Sequence, residues 1–314
     1  MKDYAYFKQR VKKIYYYLSE TVKVNLPSNP RVIKLKNDLK NSPEIIDRLN
    51  YYCKDLPDFN VSKDAVAVGY FKKTKSFAYF ADTKRVVRYF SKQFKFDYLF
   101  GDIIHIPATP SFLKSRPISD KNQNSILLKL NSIRHYQFID DETMFEDKKG
   151  IAVWRGHIYQ EHRQILVDKF HSNSLCDVGH CDDKKSDELG YKGFLSINEQ
   201  LSYKYIISVE GKDVATNLKW IMSSNSLCFM RKPRYETWFM EGRLRAGFHY
   251  VELNDDFSDL EEKVAYYNSN PEEAHAIIKN AQNYTLQFLD EESEEALGVL
   301  VAEKYFKASG QLSQ

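Results

Sequence analysis

The sequence has few glycines, few cysteines and no long apolar run. Its 12 glycines never stand two positions apart, so the dinucleotide-binding fingerprint and the phosphate loop of ATPases are both absent. Four cysteines are too few for a disulfide framework, which indicates a reducing compartment. No run approaches the roughly 18 apolar residues of a spanning helix, and no signal-peptide apolar region follows Met1. We therefore expect a cytoplasmic protein outside the common nucleotide-hydrolysing and dehydrogenase classes.

The composition is that of a folded chain whose two halves differ in charge. The 314 residues are 43% hydrophobic and 14% aromatic, and this length favours two domains over one. Residues 1–150 contain 28 Lys and Arg against 17 Asp and Glu, whereas residues 151–314 contain 18 against 26. The first half is therefore expected to face an anionic partner, with an ordinary solvated surface as the alternative.

The first half mixes basic and aromatic residues with short β-forming runs. Phe7, Val11, Ile14 and Leu18 form an apolar stripe at helical spacing, so we predict an amphipathic helix. That helix either packs on its own domain or lies on anionic lipid headgroups. A second helix is predicted over residues 42–52, where a proline occupies the first turn. The remaining runs predict strands at residues 65–71, 76–80 and 98–106, and the run 125–130 suits a strand or a helix.

The second half alternates between strand and helix patterns. Strands are predicted at residues 151–154, 175–178, 203–209, 226–230 and 249–253. Helices are predicted at residues 160–170, 197–202 and 215–223, and further helices open near residues 259, 270 and 290. This order predicts a parallel sheet covered by helices on both faces, with the domain junction near residue 148.

Two of the predicted strand-to-helix turns have residues suited to phosphate binding, and ligands of parallel sheets bind at such turns. Arg155 and Gly156 end one strand, with Arg163 in the helix that follows. An arginine fork beside a glycine favours a bound phosphate, although a surface salt bridge is the simpler interpretation. The second turn, residues 210–219, begins with Glu210 and Gly211 and continues into a helix start with small residues. A plain capped helix explains this turn equally well.

Several stretches of the chain together carry a resemblance to a known family. They are residues 114–118 (KSRPI), 127–135, 154–156 (WRG), 210–220 (EGKDVATNLKW), 223–226 (SSNS), 235–242 (YETWFMEG), 249–250 (HY) and 256–262 (DFSDLEE). With them, residues 100–264 resemble the bacterial lipopolysaccharide-modifying branch of glycosyltransferase family 90. That family also contains protein O-glucosyltransferases and capsule xylosyltransferases.

The resemblance implies a fold and a reaction. The fold is α/β of the GT-B type, with two Rossmann-like domains facing each other across a cleft. Residues 1–148 are expected to bind the acceptor and residues 149–290 the nucleotide sugar, with a C-terminal helix at 291–314 crossing back to the first domain. The reaction implied is inverting transfer of a hexose from UDP-glucose or UDP-galactose to an inner-core sugar of lipopolysaccharide. Such an enzyme is expected on the inner face of the inner membrane.

The resemblance also implies which residues contact the donor. They are Arg116, Arg155, Gly156, Arg163, Glu210, Gly211, Val214, Ala215, Thr216, Asn217, Lys219, Glu236 and Glu241. The eukaryotic branch has an arginine where this chain reads Ala215-Thr216-Asn217. The positive charge on the leaving group is therefore expected from Arg116, Arg155, Arg163 or Lys219.

An inverting transfer needs a carboxylate general base, and the family places an aspartate ahead of the stretch matched at residues 114–116. Asp102 suits this position best, and Asp120 is its rival. His105 lies nearby in the sequence and is expected to orient the acceptor or share the proton transfer.

No cofactor and no metal are expected. The chain contains no Asp-x-Asp motif, and the Cys and His residues at 176–183 match no zinc-ligand spacing. Two other functions stay open. The basic, aromatic first half suits a protein that binds single-stranded nucleic acid, and loss of catalysis would leave a UDP-binding scaffold. No nucleic-acid partner is expected of the transferase.

Overall fold

The computed structural model describes residues 14, 16–19, 21, 28–74 and 76–313. Its helices are α1 (Pro30–Leu39), α2 (Pro43–Tyr52), α3 (Phe77–Val87), α4 (Ser132–His135), α5 (Glu161–Phe170), α6 (Ile197–Gln200), α7 (Leu218–Met222), α8 (Leu260–Ser269), α9 (Pro271–Thr285) and α10 (Glu291–Ala308). Its strands are β1 (Val66–Ala67), β2 (Lys95–Phe96), β3 (Tyr98–Leu99), β4 (Ser111–Leu113), β5 (Ser115–Pro117), β6 (Ser125–Leu127), β7 (Lys149–Gly156), β8 (Cys176–His180), β9 (Tyr203–Ser208), β10 (Leu227–Arg231), β11 (Tyr235–Thr237) and β12 (Val251–Leu253). The fold is mixed α/β with parallel sheets.

The second half is organised by a five-stranded parallel sheet, as its sequence predicts. The strand order is β12-β10-β9-β7-β8, and every pair is parallel. Successive side chains of a strand point to opposite faces, and both faces of this sheet are buried. Val153 and Ile206 pack into the core shared with the first half, whereas Trp154 and Ile207 pack beneath α5 and α8.

The first half has shorter strands. Strands β3, β4 and β6 form a parallel three-stranded sheet, and β1 pairs antiparallel with β2. Strand β5 pairs antiparallel with β11 of the second half, where Arg116 lies opposite Glu236. This pairing ties the two halves together beside the common core.

The last helix, α10, packs against the helices of the first half. Asp290 caps it by accepting hydrogen bonds from the backbone N–H groups of Glu292 and Ser293. Its Glu294 forms an ion pair of 2.8 Å with Arg48 of α2, and the same carboxylate accepts a hydrogen bond from the indole of Trp238. Helix α10 therefore joins both halves of the chain.

Several predictions for the first half were wrong. Residues 76–80 begin helix α3, because Tyr79, Val86 and Val87 bury one helical face in the core. The predicted strand at 65–71 is the two-residue β1 followed by a 3₁₀ turn, and that at 98–106 is reduced to β3. The run 125–130, whose pattern suits a strand or a helix, contains strand β6 at residues 125–127.

The predicted amphipathic helix near the start lies largely outside the described residues, including Phe7 and Val11. Ile14 and Leu18 are described, and both side chains are more than half exposed. Of the helices in the described ranges, none has both the length and the apolarity that crossing a bilayer requires.

Candidate functional site

An open cleft of about 420 Å³ lies at the carboxyl end of the parallel sheet. The second half lines it with Arg155, Gly156, His157, Arg163, Gly211, Asp213, Val214, Thr216, Asn217 and Trp220, among others. The first half contributes Asp102, Arg134 and His135. The cleft therefore lies between the two halves of the chain and brings together eight of the sequence-predicted residues: Asp102, Arg155, Gly156, Arg163, Gly211, Val214, Thr216 and Asn217.

The sheet topology explains why the cleft forms there. Counted within the second half, the strand order is 2-1-3-4-5, so the chain direction across the sheet reverses between β7 and β9. The loops that leave these two strands diverge to opposite faces and leave a crevice, which is where doubly wound sheets bind ligands. Arg155 and Gly156 end β7, and Gly211 follows β9. The two turns that the sequence predicts to be functional thus meet at one crevice.

Arg163 provides a fixed positive charge in this crevice. Its guanidinium donates hydrogen bonds to the backbone carbonyls of Glu210 and Val209 at 2.8 Å each and to that of His157 at 3.2 Å. Among the described residues no carboxylate forms an ion pair with it. Burial and then the nearby charge of Arg134 lower the pKa of Arg163 to about 10. A cation held by neutral dipoles beside another cation is suited to bind an anion.

Arg134 is the cation that the sequence interpretation missed. It lies on the short helix α4, is exposed, and lines the cleft. Its guanidinium makes no hydrogen bond or ion pair with the part of the chain that the structure describes. The motif 127–135 contains it, but only the structure shows that α4 faces the crevice.

Arg155, in contrast, is already neutralised within the protein. Its Nη2 lies 2.6 Å from Oδ1 of Asp177 on the neighbouring strand β8, and its Nη1 donates to the carbonyls of Asp177 and Trp154. Although burial raises the pKa of Asp177, hydrogen bonds from Tyr203 and Arg155 lower it to about 2. Arg155 therefore lines the cleft, but a carboxylate of the protein already balances its positive charge.

The two glycines at the strand ends differ in what their small size permits. A Cβ on Gly156 would lie 2.6 Å from the ring of Trp154, so the missing side chain makes room for that indole. A Cβ on Gly211 would lie 3.6 Å from Nη2 of Arg163, an ordinary contact distance. The absent side chain at Gly156 therefore accommodates a tryptophan of the protein itself.

The predicted helix start in the second turn was placed too early. Helix α7 begins at Leu218, so Val214, Ala215 and Thr216 lie in the loop before it. Val214 and Thr216 line the cleft, whereas Ala215 is buried on another side of the loop. The side chain of Asn217 donates to the carbonyl of Ile207 and accepts from the hydroxyl of Ser208. The loop thus presents its residues without a helix N-terminus.

A lysine bridges two carboxylates in the wall of the cleft. Lys114 is 1% exposed, and its Nζ lies 2.5 Å from Asp102 and 2.7 Å from Asp213. Burial disfavours its charge, but Asp213 and the other nearby acceptors outweigh this and raise the pKa of Lys114. Asp213 is buried, while the side chain of Asp102 is 40% exposed toward solvent. Asp102 is therefore the accessible carboxylate of this cluster.

The other two predicted catalytic residues, Asp120 and His105, lie outside the cleft lining. The side chain of Asp120 is fully exposed and forms a long ion pair of 3.3 Å with Lys54. His105 is exposed in the loop after β3 and does not line the cleft. Of the three predicted catalytic residues, Asp102 alone is therefore part of the described cleft lining.

Five of the predicted donor-binding residues form ion pairs away from the cleft lining. Arg116 pairs with Glu236 at 2.7 Å, and Lys219 pairs with Glu241 at 2.5 Å, with all four side chains almost completely buried. Glu210 accepts from Arg231 at 2.6 Å. In this structure these charges are paired inside the protein, and the donor contacts expected of these side chains stay predictions.

Among the described residues, no group of three or more His, Cys, Asp or Glu side chains is arranged to hold a metal ion. The Cys and His residues at 176–183, all of which the structure describes, belong to no such group. His180 is fully buried against the ring of Tyr191, and Cys176 is buried in the core below the sheet.

Comparison with known proteins assigns the chain to a family. The model of glycosyl transferase family 90 matches residues 111–296, which include most of the cleft lining. The O-glucosyltransferase LpsA of Dichelobacter nodosus is 47% identical over 83% of this chain and 82% of its own length. Protein O-glucosyltransferase 3 of Rattus norvegicus is 32% identical over 43% of this chain and 28% of its own length. Protein O-glucosyltransferase 2 of Danio rerio is 28% identical over 45% of this chain and 29% of its own length. The resemblance inferred from the motifs is thereby confirmed: the chain belongs to glycosyl transferase family 90 and is a glycosyltransferase.

Proposed function

We propose that the protein is an inverting hexosyltransferase that moves glucose or galactose from UDP to an inner-core sugar of lipopolysaccharide or lipooligosaccharide. One observation carries this proposal: a cleft between the two halves contains two arginines that form no ion pair with any carboxylate of the described residues and, in the same lining, one accessible aspartate. The name of the Dichelobacter relative, an O-glucosyltransferase, favours glucose as the sugar.

The donor diphosphate is assigned to the space between Arg134 and Arg163. Arg163 is held by three carbonyls, so little reorganisation is needed when an anion arrives. Arg134 approaches from the first half and supplies the second charge. Of the four cations that the motifs suggest, Arg116, Arg155, Arg163 and Lys219, the proposal keeps Arg163 and adds Arg134. These two arginines neutralise the leaving UDP, and the proposal includes no metal or cofactor.

Asp102 is assigned as the general base. In the proposed step its carboxylate takes the proton of an acceptor hydroxyl while the oxygen bonds to C1 of the sugar. The bond between C1 and the diphosphate oxygen breaks with its electron pair on UDP, and attack on the opposite face inverts C1. Lys114 orients the carboxylate through its 2.5 Å contact.

The acceptor is assigned to the side of the cleft formed by the first half. That half carries the excess of Lys and Arg, which suits a phosphorylated, anionic inner core. Because such an acceptor is anchored in the inner membrane, the proposal includes peripheral association with the inner face of that membrane.

We further propose a GT-B arrangement with an acceptor domain at residues 1–148, a donor domain at 149–290 and a final segment at 291–314. The parallel sheet of the second half and the position of the cleft support it. The packing of α10 on α1, α2 and α3 supports a last segment that returns to the first domain.

The test is incubation of the protein with UDP-glucose, UDP-galactose and a set of truncated lipooligosaccharide acceptors, followed by mass spectrometry. We expect a mass increase of one hexose on an inner-core acceptor, unchanged by EDTA. Binding of UDP without transfer to any acceptor would indicate a scaffold instead. Loss of activity in EDTA with recovery in Mn²⁺ would contradict the assignment of the leaving-group charge to arginines.

A further inference from the structure

His135 is a buried polar side chain in the wall of the cleft. Its residue is 2% exposed, it follows Arg134 directly, and it lines the cleft. Neither Nδ1 nor Nε2 forms a hydrogen bond with any residue that the structure describes. Buried polar groups of native proteins are nearly always hydrogen-bonded, because leaving them unpaired is costly. A ligand in the cleft would supply the missing partner.

The environment of His135 favours an uncharged partner. Burial, followed by the nearby charges of Lys114, Lys219 and Arg134, lowers the pKa of its imidazole well below 6.5. A neutral imidazole offers one N–H donor and one nitrogen acceptor. A sugar hydroxyl is likewise both a donor and an acceptor, whereas a phosphate is bound better by the adjacent arginines.

The position of His135 favours a hydroxyl of the donor sugar over a hydroxyl of the acceptor. Arg134 precedes it on α4 and is assigned to the diphosphate, and in a nucleotide sugar the group joined to the diphosphate is the sugar to be transferred. The acceptor hydroxyl, in contrast, is assigned to Asp102. We propose that His135 hydrogen-bonds to a hydroxyl group of the donor sugar and thereby positions it for transfer. This inference rests on the proposed function.

His180 provides a matched control within the same chain. It is also fully buried with both ring nitrogens unpartnered among the described residues, but it packs against Tyr191 and does not line the cleft. A substitution there has the same general effect on a buried imidazole without touching the proposed ligand.

The experiment measures dissociation constants for UDP and for UDP-glucose by calorimetry on the wild type, His135→Phe, His135→Gln and His180→Phe. We expect the UDP constant to be unchanged in all four. In His135→Phe the ratio of the UDP-glucose constant to the UDP constant should rise about three- to ten-fold, the effect of one lost hydrogen bond. His135→Gln, which keeps a polar side chain, should recover part of this change, and His180→Phe should leave the ratio at the wild-type value. His135→Leu serves as a second apolar variant if the phenylalanine protein does not fold.

An unchanged ratio in the apolar His135 variants would overturn the inference, as would equal weakening of UDP and UDP-glucose. Either result leaves the proposed function intact, provided that the wild type binds both ligands. A wild type that binds neither would overturn the proposed function itself.

Discussion

Arg155 Nη2 lies 2.6 Å from Asp177 Oδ1, so neighbouring parallel strands neutralise a charge at the edge of the cleft. This pair predicts a pH dependence of stability. Asp177 has its pKa lowered from 3.8 to about 2, so it stabilises the folded state above about pH 4 and loses this contribution as the pH falls to about 2. We expect about 1 kcal/mol, a modest value because the carboxylate is partly exposed.

Urea unfolding of the wild type and of Asp177→Asn between pH 7 and pH 3 measures this contribution. The difference in free energy of unfolding between the two proteins should shrink as the pH decreases. A difference that stays constant over this range would contradict the assigned pairing.

The assignment of Asp102 as the base predicts separate effects on catalysis and on binding. Asp102→Asn removes the proton acceptor while keeping the shape of the side chain, so sugar transfer should fall about 10²- to 10⁴-fold. UDP affinity should change little, because the variant leaves Arg134 and Arg163 in place. Radiometric transfer assays and calorimetry measure the two quantities.

Asp120→Asn is the matched control for this prediction. Asp120 is the alternative base that the sequence suggests. Its side chain is exposed and lies 3.3 Å from Lys54. Wild-type transfer by this variant is expected. If Asp120→Asn loses activity and Asp102→Asn keeps it, the base has been assigned wrongly.

The second half could be predicted from its sequence because its signals are local. Four of the five strands of its sheet are short apolar runs with a helix as the next long element, and the order of these runs is sufficient to predict a parallel sheet. The turns after β7 and β9 were recognised for the same reason, since Arg155 and Gly211 end runs of this kind.

Contacts between distant parts of the chain determine which motif residues are available to a ligand, and the sequence does not show these contacts. An arginine in a motif has the same letter whether it meets a ligand or a buried carboxylate, and Arg116 meets Glu236 on a strand 120 residues away. Arg134, which has no such partner in the described part of the chain, was not predicted to bind the donor because nothing local distinguishes it from other arginines. Residues 76–80 likewise have the sequence pattern of a strand. They form the start of helix α3 because packing against the core and helix α10 buries one helical face.

The buried pair of Arg116 and Glu236 predicts a loss of stability rather than of donor binding. Glu236→Ala leaves the Arg116 guanidinium buried without its carboxylate, which should cost about 3–5 kcal/mol in the free energy of unfolding. Glu236→Gln keeps hydrogen-bonding groups beside Arg116 and Tyr51 and should cost less. Chemical denaturation measures both values.

Donor binding separates this structural role from a direct contact with the sugar or ribose. At a temperature where Glu236→Gln remains folded, its dissociation constant for UDP-glucose should equal that of the wild type. A substantial loss of affinity in the folded variant would return Glu236 to the donor site.

The exposed Arg134 offers the cleanest test of the proposed diphosphate site. Because its side chain makes no hydrogen bond or ion pair with the described residues, Arg134→Ala should leave the free energy of unfolding within about 0.5 kcal/mol of the wild type. Loss of a charged hydrogen bond to phosphate should weaken UDP binding about 10- to 100-fold. The dependence of UDP affinity on salt concentration should also become shallower, because one cation fewer attracts the anion.

Arg243→Ala is the control, since Arg243 pairs with Asp47 away from the cleft and its removal should leave UDP affinity unchanged. Equal UDP affinities for Arg134→Ala and the wild type would show that the diphosphate does not lie between Arg134 and Arg163.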